Sequence, residues 1–487
     1  MDTNTLYYGD NLEILRDHVD TESVDLIYLD PPFNSNADYN VIFREADGTA
    51  PFAQIKAFTD TWGWNQGSEA VFSELVTGPN HRLSETIQAM RKMLGSNDVM
   101  AYLVMMAIRL VELQRVLKPT GSIYLHCDPT ASHYLKIVMD TLFGKANFRN
   151  EIIWNYRKWP TGRRQFQRNH DVILFYSKTA SDERVFNELY MDRAASTLKR
   201  FGTKRIISGH DDAGKRLPSE VADEESAGVR QADVWDIGRV PPIKQLFPTE
   251  KPLPLLDRII RASSKEGDVV LDPFCGCGTA VIASQALKRH WIGIDITHLA
   301  ISLMRWRLKD AFGEVGYEVV GEPVDVESAR ALALQDRYQF QFWALSRVEA
   351  RPDSKDQKKG ADSGIDGRIN LIEGKGQVRP VIIQVKSGHV GANLIRDLVG
   401  VVNRESAAIG LFITLEPATR PMQLEATTAG FYKFPLNGKD YAKIQIRTIE
   451  QLLLGKGFDL PPRPVQFKQA DRHVETVENM GLFEKES

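Results

Sequence analysis

The chain has 487 residues, more than one ordinary hydrophobic core accommodates, so two or three domains are expected. Its 43% hydrophobic and 26% charged residues exclude a fibrous or wholly disordered chain. A net charge of −3 supplies no global attraction to nucleic acid, so any such binding must rest on local basic patches.

Residues 5 to 30 read as a short strand, a helix from about Asn11 and then "VDLIYLD", whose unbroken apolar run suits a strand buried on both faces. "MDTNTLYYGDNLEIL" has neither the basic start nor the apolar run of a signal peptide, and no later stretch has the length of a membrane span. A cytoplasmic protein with no membrane partner is therefore expected. From Ser84 to Leu117 apolar residues recur at helical spacing, ending in "KPTGSIYLHCD", a helix stop followed by a strand. The alternation resumes at "HDVILFYSK", at "GDVVLDPF", where a strand runs into a Gly-rich turn and a helix, and at "RHWIGIDI". This is the pattern of an α/β sheet. Between these halves, Thr179 to Val234 is polar and weakly periodic, as a specificity insert would be. A second compact pattern begins at "YQFQFWALSRVEA". The organisation read is thus a first domain over residues 1–321 with an insert at about 179–234, a linker at 322–337, a second domain at 338–458 and a charged tail at 459–487. Cys127, Cys275 and Cys277 are too few and too badly spaced for a disulfide framework or a zinc set, and are read as reduced thiols filling small spaces.

Two strand-like runs end in Asp-Pro: "IYLDPPFNSNADYN" at residues 27–40 and "VVLDPFCGCGTAVIAS" at residues 269–284. In the second, Asp272 closes a strand and Gly276 and Gly278 precede a helix, so backbone can approach a ligand closely at the carboxyl edge of a parallel sheet. Neither the dinucleotide fingerprint nor a Walker lysine is present. Asp295, at the end of the next strand, stands where such folds bond ribose hydroxyls; a tight turn with a helix-capping Asp is the plainer alternative. In the first run, Pro31 and Pro32 fix the backbone just past a strand and hold Asp30 and Phe33 on a short rigid turn. An amino group conjugated to a purine is a weak nucleophile because its lone pair is delocalised. Hydrogen bonds from both amino hydrogens to the Asp30 carboxylate and the Pro31 carbonyl would favour a pyramidal nitrogen, with Phe33 stacked on the ring.

"DPPF" together with "LDPFCGCGT" resembles the amino-DNA methyltransferases, and the order of catalytic tetrapeptide, insert and cofactor loop resembles their β group. "YYGDNLEIL", "GSIYLHCDPTASHYLKIVMDTLFG" and "FPTEKPLPLLDRIIRASSKEGDVVLDPF" extend the likeness over roughly Leu6 to Leu308, apart from the insert. The resemblance implies a Rossmann-like sheet with S-adenosylmethionine as methyl donor. It implies cofactor contacts from Asp272, Phe274, Gly276, Gly278 and Asp295, with Asp10 and Lys251 beside the cofactor and Asp30, Pro31, Pro32 and Phe33 as the catalytic loop. "DPPF" is nearer the adenine-N6 pattern than the Ser-Pro-Pro pattern of cytosine-N4 enzymes, which stays as the alternative. Double-stranded DNA is then the partner, and the target base must be flipped into the pocket. "NYRKWPTGRRQFQRNHD" interleaves Arg157, Lys158, Arg163, Arg164 and Arg168 with Tyr156, Trp159 and Phe166, a pattern for phosphate contact and base stacking. Lys199, Arg200, Lys204 and Arg205 in the insert are further candidates for reading a site. His126, Cys127 and Asp128 are read as a strand end rather than a metal cluster.

In the carboxyl-terminal part, "KKGADSGIDGRINLIEG" and "PVIIQVKSGHV" place Asp366 near a strand start and Gln384 and Lys386 on one face of a strand. Asp366 and Gln384 can hold Mg²⁺ while Lys386 positions or deprotonates a water. This layout resembles the Mrr-like branch of the PD-(D/E)xK nucleases over roughly Tyr338 to Leu454, with Glu349 on the preceding helix as an auxiliary candidate. The resemblance implies a restriction-endonuclease-like α/β domain fused to the methyltransferase. A second domain that only binds DNA is the alternative, and a homodimer is left open.

Overall fold

In the computed structural model, the described residues are 4–32, 63–158, 164, 166–181, 183–207, 215, 220–241, 245, 250–352, 364–374 and 377–462, with the backbone of strands Asp38–Val41 and Ile55–Thr59. The chain divides into two compact units, Met1–Glu322 and Pro323–Ser487. Among the described residues no helix is long and apolar enough to cross a membrane.

The first unit is built on a nine-stranded sheet. In chain order its strands are β1 (Thr5–Tyr8), β2 (Val24–Leu29), β3 (Leu117–Cys127), β4 (Phe148–Asn155), β5 (His170–Ser177), β6 (Val234–Asp236), β7 (Val269–Asp272), β8 (His290–Asp295) and β9 (Glu318–Val320). Their spatial order is β6-β4-β5-β3-β2-β7-β8-β1-β9. Only β5 is antiparallel to its neighbours, so the carboxyl ends of β1, β2, β3, β7 and β8 share one edge.

Every residue of β2 is buried, as its unbroken apolar run demands. Alternate side chains go to opposite faces: Ile27 and Leu29 join a core with Ile14, Leu15 and Leu110, whereas Leu26 and Tyr28 join one with Leu255, Ile259 and Ala280. Helices α1 (Asn11–His18) and α2 (Asp98–Val116) therefore cover one face, and α3 (Leu253–Ser263) and α4 (Thr279–Ala286) the other. Helix α5 (His298–Phe312) follows β8 and packs Ala300, Ile301 and Met304 against Leu6 and Val281. The insert forms a short helix, Ala195–Phe201, and two small antiparallel ribbons, Tyr190–Met191 with Val229–Arg230 and Lys204–Ile207 with Glu220–Glu225.

The second unit has a five-stranded sheet in sequential order: β10 (Arg351–Pro352), β11 (Gly367–Gly374), β12 (Gln377–Lys386), β13 (Ile409–Thr414) and β14 (Ile444–Thr448). The first three are antiparallel and the last three parallel. Helices α6 (Val326–Gln335) and α7 (Arg337–Ser346) pack on the face bearing Ile383 and Val385. Helices α8 (Ala392–Arg404) and α9 (Arg420–Thr428) pack on the face bearing Ile382 and Phe412. The stretch 322–337, read as a linker, is largely helix α6: Ala329, Leu332 and Ala333 fall on one side at helical spacing and are buried in this core.

Candidate active sites

The two Asp-Pro runs, over two hundred residues apart in sequence, end on neighbouring parallel strands. Leu26 and Ile27 of β2 pair with Val270 and Leu271 of β7, which brings Asp30 and Asp272 to the same edge of the sheet. Asp295 ends the next strand, β8, and Asp10 follows β1 beyond it.

Asp272 is buried and accepts the Phe274 N–H at 3.1 Å. Desolvation pushes its carboxyl well above the usual carboxylate range and the charges of Asp30 and Asp295 add to this, while the Phe274 N–H and Lys251 oppose it. Asp295 accepts the Gly276 N–H at 3.0 Å and the Thr297 N–H and hydroxyl at 2.9 and 2.8 Å; burial nevertheless pushes it up to about 6. Three carboxylates and one lysine at a sheet edge favour a ligand that donates hydroxyl hydrogens and carries positive charge. A donor with ribose hydroxyls, a sulfonium and an ammonium fits that set, and its carboxylate matches Lys251.

Gly276 and Gly278 have φ of +50° and +79°, and Gly278 opens helix α4. At Gly278 an added Cβ would lie 2.4 Å from Met304 Cγ on α5, so both backbone and packing require glycine there. Gly278→Ala is expected to cost on the order of 2 kcal/mol, read as a lowered thermal midpoint together with weaker donor binding by titration calorimetry. An unchanged midpoint would refute this account of the turn. Cys275 and Cys277 are buried thiols; Cys275 Sγ lies 3.2 Å from the Ile294 carbonyl, and desolvation pushes Cys277 up to about 11.

On the other side of the crevice, Asp30 sits just past β2 with its side chain 15% exposed. Its Oδ2 is paired with Lys251 Nζ, so Lys251, expected beside the cofactor, also neutralises the Asp30 carboxylate. Oδ1 is buried and makes no hydrogen bond among the described residues. Pro31 is buried and Pro32 half-buried, whereas Phe33 lies outside the described residues. Asp10 caps α1 through the Leu12 N–H at 2.7 Å and receives Arg109 Nη2 from α2 at 2.9 Å.

Several residues that sequence reading passed over hold this edge together. Arg109 Nε also donates to Asn11 Oδ1 at 2.5 Å, and Asn11 Nδ2 donates to the Pro273 carbonyl at 2.7 Å, tying α2 to the glycine turn. Arg307 of α5 donates to the Cys277 carbonyl at 2.8 Å and pairs with Glu250 at 3.1 Å, fixing the residue that precedes Lys251. A lone arginine in a helical run carries no sequence signal for such a role. His126, by contrast, stood in plain view at the end of β3. It is buried, with Nε2 3.2 Å from Asp171 Oδ2 and Nδ1 3.1 Å from the Tyr28 hydroxyl.

Arg157, Lys158, Arg164 and Arg168 are exposed, as is Phe166 at 98%, while Arg163 and Trp159 lie outside the described residues. Tyr156, expected to stack on a base, is instead buried against Trp154 with its hydroxyl donating to Asp171 at 3.0 Å. Apolar packing claims it because it continues the inward face of β4. Lys204 and Arg205, candidates for reading bases, pair with Asp223 and Glu224 across their ribbon at 3.3 and 3.0 Å, so their charge is met within the insert. Lys199 and Arg200 lie in the exposed helix beside them, where Arg200 covers the Phe201 ring.

In the second unit Asp366, Gln384 and Lys386 gather around the end of β12. The Asp366 carboxylate accepts the Val385 N–H at 2.6 Å, between the other two. Gln384 is buried and donates Nε2 to the Gly364 carbonyl, so its amide oxygen remains an acceptor. One carboxylate, one amide oxygen and a neighbouring ammonium are a donor set for a hard cation that completes its shell with water and phosphate. Among the described residues no group of three or more His, Cys, Asp or Glu is placed to hold a metal. Glu349, expected on the preceding helix, lies in the turn after α7 with φ +55° and is exposed.

A mixed sheet whose carboxyl edge joins a glycine turn to an Asp-Pro-Pro loop is the framework of a group-transfer enzyme. The chain belongs to the DNA methylase family, whose model matches residues 24–304, and residues 342–431 match a restriction endonuclease model. The type II methyltransferase M.HpaI of Haemophilus parainfluenzae is 26% identical over 308 residues, 63% of this chain and 74% of that protein. M.BamHI of Bacillus amyloliquefaciens, also a type II methyltransferase, is 28% identical over 315 residues, 63% of this chain and 58% of that protein. The DNA adenine methyltransferase YhdJ of Escherichia coli K12 is 27% identical over 311 residues, 63% of this chain and 83% of that protein.

Proposed function

We propose that the first unit methylates the N6 amine of adenine in double-stranded DNA, and that the second unit cuts DNA with Mg²⁺, a restriction and modification pair in one cytoplasmic chain. The observation that carries the reading is the meeting of Asp30 and Asp272 on adjacent parallel strands, with Lys251 paired to Asp30. S-adenosylmethionine supplies an electrophilic methyl group. Asp272, Asp295 and the glycine turn would hold its sugar and Phe274 its ring, while Lys251 would face its carboxylate. Asp30 and the Pro31 carbonyl would accept the two amine hydrogens of a flipped base, and the buried setting keeps those bonds strong. Arg157, Lys158, Arg163, Arg164 and Arg168 would hold the opened duplex by its phosphates. "DPPF" and the likeness to an adenine methyltransferase favour adenine over cytosine.

The test incubates the purified protein and radiolabelled S-adenosylmethionine with unmethylated genomic DNA, then identifies the labelled nucleoside. Label in N6-methyladenine is the expected result. Label in N4-methylcytosine would keep the mechanism and replace the base, and no transfer by folded protein would overturn the reading.

A further inference from the structure

Behind Asp30 lies a line of buried polar groups that the methyl-transfer scheme leaves without a task. His126, near the end of β3, is fully buried, its Nδ1 4.0 Å from Asp30 Oδ1, the buried oxygen that makes no hydrogen bond among the described residues. On the far side of the ring, Nε2 lies 3.2 Å from Asp171 Oδ2, and Asp171 Oδ1 accepts the Tyr156 hydroxyl at 3.0 Å. The tertiary structure draws these groups from four separate strands or strand ends, β2, β3, β4 and β5.

The tautomer follows from the partners. Burial alone would raise Asp171, yet its hydrogen bond to His126, helped by the charge of Lys251 and the Tyr156 hydroxyl, holds it below its ordinary value, so it is a carboxylate and can only accept. His126 must then donate from Nε2 and present the lone pair of Nδ1 toward Tyr28 and Asp30. Burial, followed by the charges of Asp30, Asp272 and Asp171, drives Tyr28 well above its usual range, so Tyr28 stays a neutral phenol. Other ionisable groups around the line are Cys127 on its own strand, Asp128 just past it, Glu151 on β4, Arg239 and Lys158 over the Tyr156 ring, and Lys251. Burial and those carboxylates keep Cys127 a thiol, so it accepts no proton here.

We infer that His126, oriented by Asp171, is the proton acceptor behind Asp30. As the amine nitrogen bonds to the methyl carbon, the carbon–sulfur electron pair stays on sulfur and the nitrogen carries one proton in excess. Asp30 takes that proton on its carboxylate and delivers it to His126 Nδ1 as the Tyr28 hydroxyl, which donates to that nitrogen at rest, turns to accept from it, leaving an imidazolium between two carboxylates; after product departure the proton returns through Asp30 to water. The 4.0 Å gap between Nδ1 and Oδ1 closes to bonding distance with a shift of about 1 Å, which the Asp30 side chain can supply when Lys251 turns to the donor. Asp171 and Tyr156 are positioning residues in this arrangement.

The inference rests on the methyltransferase reading, so wild-type transfer measured in the same assay separates the two: no wild-type transfer condemns that reading, not the relay. The experiment compares single-turnover methyl transfer by the full-length wild type, His126→Asn and Asp171→Asn between pH 5.5 and 9, alongside donor binding by calorimetry. Expected for His126→Asn is a fall of about 10²-fold with the acid limb of the rate profile displaced, while donor affinity changes less than threefold. Asp171→Asn, which keeps shape and removes the charge, should fall about tenfold with the limb shifted the same way. A rate within twofold of wild type in either variant overturns the inference, as does a fall that leaves the acid limb where it was. Should His126→Asn fail to bind the donor, Asp171→Asn decides alone by the same criteria.

Discussion

Asp30→Ala should lower single-turnover methyl transfer by about 10²–10³-fold, the loss typical when one preorganised hydrogen-bonding group aimed at the reacting centre is removed. Binding of S-adenosylmethionine should change little, because the proposed contacts to its sugar and ring lie on β7, β8 and the glycine turn rather than on the Asp-Pro-Pro loop. The substitution also removes the carboxylate paired with Lys251, which is 10% exposed, so some loss of stability accompanies it. Asp30→Asn separates the two effects, since it keeps the shape and one acceptor oxygen while removing the charge. Both variants are to be compared by donor calorimetry and by rapid-quench transfer to DNA. Transfer by Asp30→Ala within tenfold of the wild type would remove Asp30 from the chemistry. A donor affinity lost in parallel with the rate would instead make Asp30 part of the cofactor pocket.

Lys386→Ala should abolish DNA cutting, a fall of about 10²–10⁴-fold for a group that moves or positions a proton, and leave methyl transfer within twofold. The ammonium stands two residues after Gln384 on β12, with the Asp366 carboxylate bonded to the intervening Val385 N–H at 2.6 Å. With one carboxylate and one amide oxygen in the set, the cation should bind weakly and be removed readily by chelation. The assay is nicking of an unmethylated supercoiled plasmid with Mg²⁺, with EDTA, and with Lys386→Ala. Cutting that persists in EDTA or in the variant would refute the assignment. If the wild type cuts nothing, the nuclease reading of the second unit falls. Labelled nucleoside and nicked plasmid are separate readouts, so each result is scored on its own.

The sequence by itself determined the local pieces: an apolar run that must be a buried strand, glycines where a turn needs positive φ, and prolines that stiffen the chain after Asp30. It also marked Gln384 and Lys386 as neighbours on one strand face, since a strand repeats every two residues. These features are legible because they depend on residues close in sequence, whose spacing fixes which side chains share a face. Only the tertiary structure decided that β2 and β7 are adjacent, and so that Asp30, Asp272 and Lys251 meet. Strand order depends on how helices cover both faces of the sheet, which local spacing does not encode. The same reason hid Arg109 and Arg307, whose partners lie far along the chain, and turned Tyr156 from a candidate stacking platform into a buried support for Asp171. His126 shows the difference most directly. Its sequence neighbours made it an ordinary strand end, and the convergence of four strands placed its ring 4.0 Å from the Asp30 oxygen that lacks a hydrogen bond among the described residues.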